Sequence, residues 1–126
     1  MRIISTDKAP APGGHYSQAV EHDGIVYVAG LLPVHGDSGE QCHGTIAEQT
    51  EVVLANLAEI LKAANSRLDL VIKTTAYVSD ISLWGGVNDV YKSVFGSHRP
   101  ARIVVPTRGL HHGFLIEIEA VAAVAE

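Results

Sequence analysis

The chain has 126 residues, 47% of them hydrophobic and 18% charged, and its formal net charge is −5. This balance is typical of one ordinary globular domain over residues 1–126 and argues against intrinsic disorder. It also argues against a nucleic-acid partner, because non-specific nucleic-acid binding relies on a basic surface.

Targeting and redox features predict a cytoplasmic protein. The first residues lack the long apolar run of a signal peptide, and no segment approaches the ~20 apolar residues that a membrane-spanning helix needs. Cys42 is the only cysteine, so an intramolecular disulfide is impossible and a reducing compartment fits best. We therefore expect no membrane partner.

The N-terminal third is predicted to be extended. Residues 9–14 combine two prolines with a glycine pair, which removes backbone donors and disfavours a helix. Strands are predicted over 16–21 and 25–32, joined by a tight turn at Asp23-Gly24.

The middle of the chain predicts a long helix. Thr45 and Glu48 have the spacing of a capping box, in which hydroxyl and carboxylate satisfy free backbone donors reciprocally. Behind them, apolar residues recur at helical spacing over about 46–64. Asn65 is a residue type that tolerates the left-handed conformation in which helices often end.

The remaining elements predict an α+β fold. A strand over 70–78, a second helix capped by Asp80 or Ser82, and strands over 101–105 and 114–124 complete the chain. Two helices packed on one face of a mixed β-sheet are the natural arrangement for this order.

Two helices leave the other face of the sheet uncovered. We expect Val26, Val28, Ile103 and Val105 on that face, together with several alanines of the last strand. A large exposed apolar face usually meets a partner, and for a chain of this size we predict a symmetric homo-oligomer.

Arg102 and two glutamates are the leading candidates for chemistry. An arginine in an apolar strand needs either a structural carboxylate partner, such as Glu117 or Glu119 on a neighbouring strand, or an anionic ligand. The two glutamates are two residues apart, so both lie on one face of their strand. A small pocket for an anionic substrate is the functional interpretation, and a structural ion-pair network is the alternative.

Weaker signals come from a tyrosine, a glycine and the histidines. Tyr16 follows a glycine pair that lets the backbone approach a ligand, although a packed loop tyrosine explains it equally. Gly30 ends a predicted strand and marks either an anion-accessible backbone or a bulge. The seven histidines have no recognised ligand spacing, which predicts no metal, and Cys42 beside His43 is better explained as an incidental thiol than as a nucleophile.

Six short motifs occur in a characteristic order along nearly the whole chain. They are Gly14-His15-Tyr16-Ser17-Gln18-Ala19, Gly30-Leu31-Leu32-Pro33, Ile72-Lys73-Thr74-Thr75, Val87-Asn88-Asp89-Val90-Tyr91, Pro100-Ala101-Arg102 and Ile116-Glu117-Ile118-Glu119-Ala120. With these motifs the chain resembles the Rid family, the reactive intermediate deaminases, whose members are also described as L-PSP endoribonucleases or translation inhibitors.

The resemblance implies a fold, an assembly and a reaction. The fold would be chorismate-mutase-like, assembled as a barrel-like homotrimer with pockets at the subunit interfaces. The reaction would be hydrolysis of a 2-imino acid or enamine, such as 2-iminopropanoate formed from 2-aminoacrylate, to a 2-keto acid and ammonia, without metal or cofactor. Arg102 would clamp the substrate carboxylate, and Glu117 would orient or activate the attacking water. The further pocket positions would be Tyr16, counted with the catalytic residues, and Gly30, Leu31, Asn88 and Val104.

Several residues depart from the family pattern. His15 replaces a proline, Ala29 a frequent serine, Leu31 a common glutamine and Val104 a cysteine of many members. The loop after Arg102 carries His111-His112 where a leucine–proline pair is common. We expect a pocket rim that accepts a different substrate, larger or less polar.

Two alternative functions stay open. One is a non-catalytic role, in which a carboxylate metabolite is bound at Arg102 for sensing or regulation. The other is the endoribonuclease or translation-inhibitor role, which the acidic composition disfavours because RNA binding should need a basic surface.

Overall fold

The computed structural model covers residues 1–126 and contains one six-stranded sheet and two α-helices. The elements are β1 (Arg2–Ile4), β2 (Ala19–His22), β3 (Ile25–Leu31), α1 (Ile46–Ala63), β4 (Val71–Val78), α2 (Trp84–Phe95), β5 (Ala101–Pro106) and β6 (Ile116–Ala123). The strand order is β1-β2-β3-β6-β4-β5, in which only β4 and β5 are parallel. The predicted α+β fold, a mixed sheet with two helices on one face, is confirmed.

The first helix forms as its sequence predicts. The Glu48 N–H donates to the Thr45 hydroxyl (3.2 Å), and the Thr45 N–H donates to the Glu48 carboxylate (3.0 Å), which completes the capping box. Asn65 follows the last turn with a positive φ of 57°. Apolar side chains of the inner face are completely buried, among them Leu54 and Leu57. Each such side chain stabilises the fold by about 1.5–3 kcal/mol relative to an exposed one.

The strand predictions differ from the structure at the N-terminus. β2 begins at Ala19 rather than Tyr16, because Gln18 turns its side chain to the preceding segment instead of pairing in a strand. The Gln18 amide accepts from the Thr6 N–H (2.7 Å) and donates to the Pro10 carbonyl (2.9 Å). β1 was not predicted, since three residues at a sheet edge show no usable alternation.

The helix-covered face of the sheet forms the core. Val26, Val28, Ala120 and Ala122 are buried there, so placing the two valines and these alanines on the open face was wrong. Alternation along β3 instead puts Tyr27 on the open face, where it is 51% exposed. The open face also carries Ile103, as predicted, with 52% exposure.

No helix of the protein is both long enough and apolar enough to cross a membrane.

Candidate functional site

Arg102 lies on the helix-covered side of the edge strand β5. Its register partner on β4 is Thr74, whose buried hydroxyl lies 2.9 Å from the Tyr91 hydroxyl of α2. The Arg102 guanidinium carbon lies 4.8 Å from the centre of the Tyr91 ring and 5.2 Å from that of Trp84. These cation–π contacts fix the guanidinium against the two aromatic rings without using its N–H groups as hydrogen-bond donors.

The Arg102 guanidinium has no carboxylate partner. The only ion pairs of the chain are His22–Asp23 and Arg67–Asp69, and Arg102 donates no hydrogen bond to another residue. The predicted alternative of a structural ion pair with Glu117 or Glu119 is therefore wrong. An arginine that is half-buried and unpaired has the donors required for an external carboxylate.

Arg102 opens onto a cavity of about 650 Å³ between α2 and β5. Asn88 lines this cavity from α2, one turn before Tyr91, so two residues of the predicted site share it. Val104, which follows Arg102 on the same face of β5, packs against the hydrophobic core and does not line the cavity.

Glu117 lies on the opposite, open face of the sheet. Its register partner is Tyr77 on β4, three residues beyond the partner of Arg102. On its other side, β3 contains an extra residue, because Val28 pairs with Ala120 whereas Leu31 pairs with Ile118. The resulting β-bulge brings Gly30 against the Glu117 carboxylate so closely that a Cβ on Gly30 would collide with it.

The two glutamates of β6 have different surroundings. Burial raises the pKa of the Glu117 carboxyl; the charge of His111 lowers this pKa, and that of Glu119 raises it further. Glu119 is exposed, and its carboxylate accepts a long hydrogen bond (3.5 Å) from the Tyr77 hydroxyl. Its negative charge is the main cause that raises the pKa of Tyr77. Of the two glutamates, the half-buried Glu117 is thus the one whose carboxylate lies against the backbone at Gly30 and whose pKa is raised.

Tyr16 and Gly30 line a second cavity, of about 230 Å³. The Tyr16 hydroxyl accepts from the Gly13 N–H (3.2 Å), so the glycine pair folds the tyrosine back onto its own loop. Leu31 also lines this cavity, although its side chain is 91% buried and belongs mainly to the core. The replacement of a polar residue by Leu31 therefore changes the inner wall of the cavity more than its rim.

The structure divides the predicted site residues between the two sides of one chain. Arg102 and Asn88 lie on the helix-covered side, whereas Tyr16, Gly30 and Glu117 lie around the bulge of β3. The expectation that Arg102 and Glu117 occupy neighbouring strands was wrong, because β4 lies between β5 and β6. Within one chain these residues do not form a single pocket.

Sequence reasoning missed the residues that surround the two charged groups. The rings of Trp84 and Tyr91 on α2 contact Arg102, and neither residue was predicted as part of the site. His112, with a positive φ of 57°, lines the Tyr16 cavity, and His111 acts on Glu117. An aromatic pair on a helix followed by a lone arginine in the next strand is the sequence signal for the first contact. The histidines carry no comparable signal, because a loop positions them.

The other candidate residues are placed apart from these sites. Cys42 lines an acidic cleft beside α1, of about 490 Å³, together with His35. His43 stacks on Phe114 with ring centres 5.0 Å apart, so Cys42 and His43 do not form a nucleophile–base pair. No three His, Cys, Asp or Glu side chains converge in a geometry that would hold a metal ion.

Known proteins of similar sequence and structure match nearly the whole chain. Residues 6–124 match the family model described as endoribonuclease L-PSP. The 2-iminobutanoate/2-iminopropanoate deaminase of Rattus norvegicus is 45% identical over 121 residues, which cover 96% of this chain and 88% of that protein. RidA from the Antarctic bacterium Psychrobacter superposes with a TM-score of 0.94 at 34% identity, over 98% of this chain and 100% of that one. TdcF of E. coli, solved with bound serine, superposes with a TM-score of 0.93 at 31% identity, over 99% and 100% of the two chains.

Proposed function

Because the chain belongs to the endoribonuclease L-PSP family, also called the Rid family, we propose that it is a hydrolytic deaminase of 2-imino acids. Its substrates would be of the 2-iminopropanoate and 2-iminobutanoate type, formed from enamines such as 2-aminoacrylate. The observation that carries this proposal is the Arg102 guanidinium, which contacts the rings of Trp84 and Tyr91 and has no carboxylate partner. The names of relatives such as the rat deaminase support the reaction class.

The proposed reaction needs one anion anchor and one proton acceptor. The Arg102 fork binds the substrate carboxylate, which places the electrophilic imine carbon at a fixed distance from it. Glu117 takes a proton from water as the oxygen attacks that carbon, and the nitrogen of the resulting carbinolamine is protonated. The C–N bond then breaks, so iminium and water become keto acid and ammonium. No metal or cofactor takes part in this scheme.

We propose that the two sides of the site come from different subunits. The anion anchor, Arg102, lies at the edge formed by β5 and α2, and the Glu117 carboxylate lies on the open face near the β3 bulge. Contact between two different surfaces of identical chains is heterologous, and such contacts form a cyclic ring when the rotation between neighbouring chains closes. A homotrimer with three interfacial pockets satisfies this geometry. Each pocket would combine Tyr16, Gly30, Leu31 and Glu117 of one chain with Asn88 and Arg102 of the next.

The test of the proposed function is keto-acid and ammonia release from 2-iminopropanoate generated in situ. The wild-type protein should hydrolyse the imine faster than the spontaneous reaction. Arg102→Ala should lower kcat/KM on the order of 100-fold, because the substrate carboxylate loses its charged partner. Arg102→Lys keeps the charge but not the fork and should recover only part of the rate. Unchanged unfolding temperature and assembly mass would show that the variants fold. A wild-type rate equal to the spontaneous rate would refute the deaminase.

A non-catalytic role is the second candidate, and the serine held by TdcF favours it. In that role Arg102 binds a carboxylate metabolite without turnover. Glu117→Gln separates the two functions, since it should abolish hydrolysis in the deaminase but leave carboxylate affinity unchanged in a sensor. Ligand binding measured by calorimetry in both proteins provides this comparison.

A further inference from the structure

The cavity at Arg102 is basic, although the chain as a whole is acidic. Its lining contains one lysine, two arginines and one histidine but no acidic side chain, while the net charge of the chain is −5 with histidine neutral. This concentration of positive charge exceeds what a single substrate carboxylate requires.

Three separate segments supply these cations. Lys92 comes from α2, Arg99 from the loop between α2 and β5, and Arg102 from β5. None of the three has a carboxylate within 4 Å, because the ion pairs of the chain lie elsewhere. Asp89 lies on the same helix as Lys92 but neither lines the cavity nor pairs with it. Like charges gathered in this way repel one another, and binding of an anionic ligand would relieve that repulsion.

His98 does not belong to the anion-binding set. Its Nε2 lies 2.7 Å from the Val71 carbonyl, to which it donates, and its ring packs against Phe95. The cations that face the cavity freely are therefore Lys92, Arg99 and Arg102. Tyr91 and Phe95 provide the apolar surface on this wall.

Resting on the proposed function, we propose that this cavity selects 2-imino acids that carry a second carboxylate on the side chain. Arg102 binds the carboxylate next to the imine carbon, as in the simple substrates. Lys92 and Arg99 bind the distal carboxylate. The volume of about 650 Å³ is within the range of pockets that enclose whole small ligands and accommodates the longer side chain. The substrate class is thus the dicarboxylic 2-imino acids, which arise by oxidation of acidic amino acids.

The first test is binding, which is independent of turnover. Trp84 is the only tryptophan and lies on Arg102, so its fluorescence reports occupation of the cavity. The matched probes are 2-oxoglutarate and 2-oxopentanoate, which have the same chain length but two carboxylates and one. We expect 2-oxoglutarate to bind about tenfold more tightly, as one additional charge-assisted contact provides. Added salt should reduce this preference, because the distal contact is partly exposed.

The variants Lys92→Gln and Arg99→Gln locate the preference. Each should weaken the binding of 2-oxoglutarate several-fold and change the affinity for 2-oxopentanoate by no more than about twofold. Arg2→Gln removes the same charge from the opposite edge of the sheet and should change neither affinity. Equal affinity of the wild-type protein for both probes would overturn the inference. The inference would also be overturned if the protein showed no preference between the two keto acids but bound a single-stranded RNA, and if Arg99→Gln abolished that RNA binding.

Turnover then separates this inference from the proposed function. Hydrolysis of the imines of alanine and of glutamate at equal kcat/KM would leave the deaminase intact and overturn the selectivity. A tenfold preference for 2-oxoglutarate without hydrolysis of any imine would refute the deaminase and support the dicarboxylate site.

Discussion

The Glu117 carboxyl has surroundings that shift its pKa in opposing directions. Burial beside the β3 bulge raises the pKa, the charge of His111 lowers it, and the charge of Glu119 raises it. A general base is active only when deprotonated, so this balance sets the acid side of the pH range in which the proposed reaction runs.

The pH dependence of kcat/KM should therefore show an acidic limb above the usual pKa of a glutamate. The rate should rise with pH as Glu117 loses its proton. His111→Gln should move this limb to higher pH, because it removes a charge that lowers the pKa of Glu117. Glu119→Gln should move the limb to lower pH, because it removes a charge that raises this pKa. Rate profiles for 2-iminopropanoate hydrolysis by the three proteins measure both shifts. Limbs that coincide in all three would contradict the assignment of Glu117 as the base.

The same shift predicts a difference in stability. A carboxyl whose pKa is higher in the folded than in the unfolded protein favours folding when protonated. That contribution is present below the unfolded pKa of about 4.3 and is lost as the pH rises through the folded value. Glu117→Gln should consequently match the wild-type protein near pH 4 and be the more stable of the two at pH 7. Thermal unfolding at both pH values tests this, and a variant less stable at pH 7 would contradict it.

At the scale of the elements, the β3 bulge determines how closely the backbone of β3 approaches the Glu117 carboxylate. Because one extra residue is inserted between Val28 and Leu31, the backbone at Gly30 lies against the carboxylate and leaves no room for a Cβ. The same bulge interrupts the regular pairing between β3 and β6 beside the cavity that Tyr16 lines.

Gly30→Ala should displace Glu117 and lower kcat roughly 10–100-fold, since small misplacements of reacting groups have effects of that size. Gly85→Ala is the matched control. A Cβ at Gly85 meets no atom within 4 Å, and alanine there should stabilise α2 by up to about 1 kcal/mol. Activity and unfolding temperature of both variants give the comparison. Full activity of Gly30→Ala would show that the bulge does not position the carboxylate.

At the scale of the whole molecule, the two parts of the proposed site lie on different sides of one chain. The Arg102 cavity lies at the β5 edge, and the Glu117 carboxylate lies on the open face beyond β4. The exposed apolar residues of that face, including Tyr27 and Ile103, are suited to contact with a neighbouring chain. Assembly would then cover the open face and complete the site in the same step.

Mixing two inactive variants tests this arrangement. If Arg102 and Glu117 act across an interface, co-refolded Arg102→Ala and Glu117→Gln chains should regain roughly a quarter of the wild-type activity. Random assembly pairs an intact arginine with an intact glutamate at that frequency. Each variant refolded alone is the control. A mixture as inactive as its components would place both residues in one subunit's site.

The sequence alone determined the elements whose signals are local. The capping box and the helical spacing of apolar residues specify α1, and strict alternation in β6 places Glu117 and Glu119 together on the face opposite Ile116 and Ile118. These features follow from periodicities of two to four residues, so they can be read without knowledge of the tertiary structure. The motifs that identify the family are local in the same sense.

The tertiary structure decided where those residues meet. Strand order results from long-range pairing, and the insertion of β4 between β5 and β6 separates Arg102 from Glu117. The pairing register places the two on opposite faces, because their partners on β4, Thr74 and Tyr77, are three residues apart. Alternation alone identifies residues that share a face but not which face the helices cover, which is why Val26 and Val28 were misplaced. The unpaired state of Arg102 and the basic lining around it likewise depend on contacts between distant segments, which no local pattern encodes.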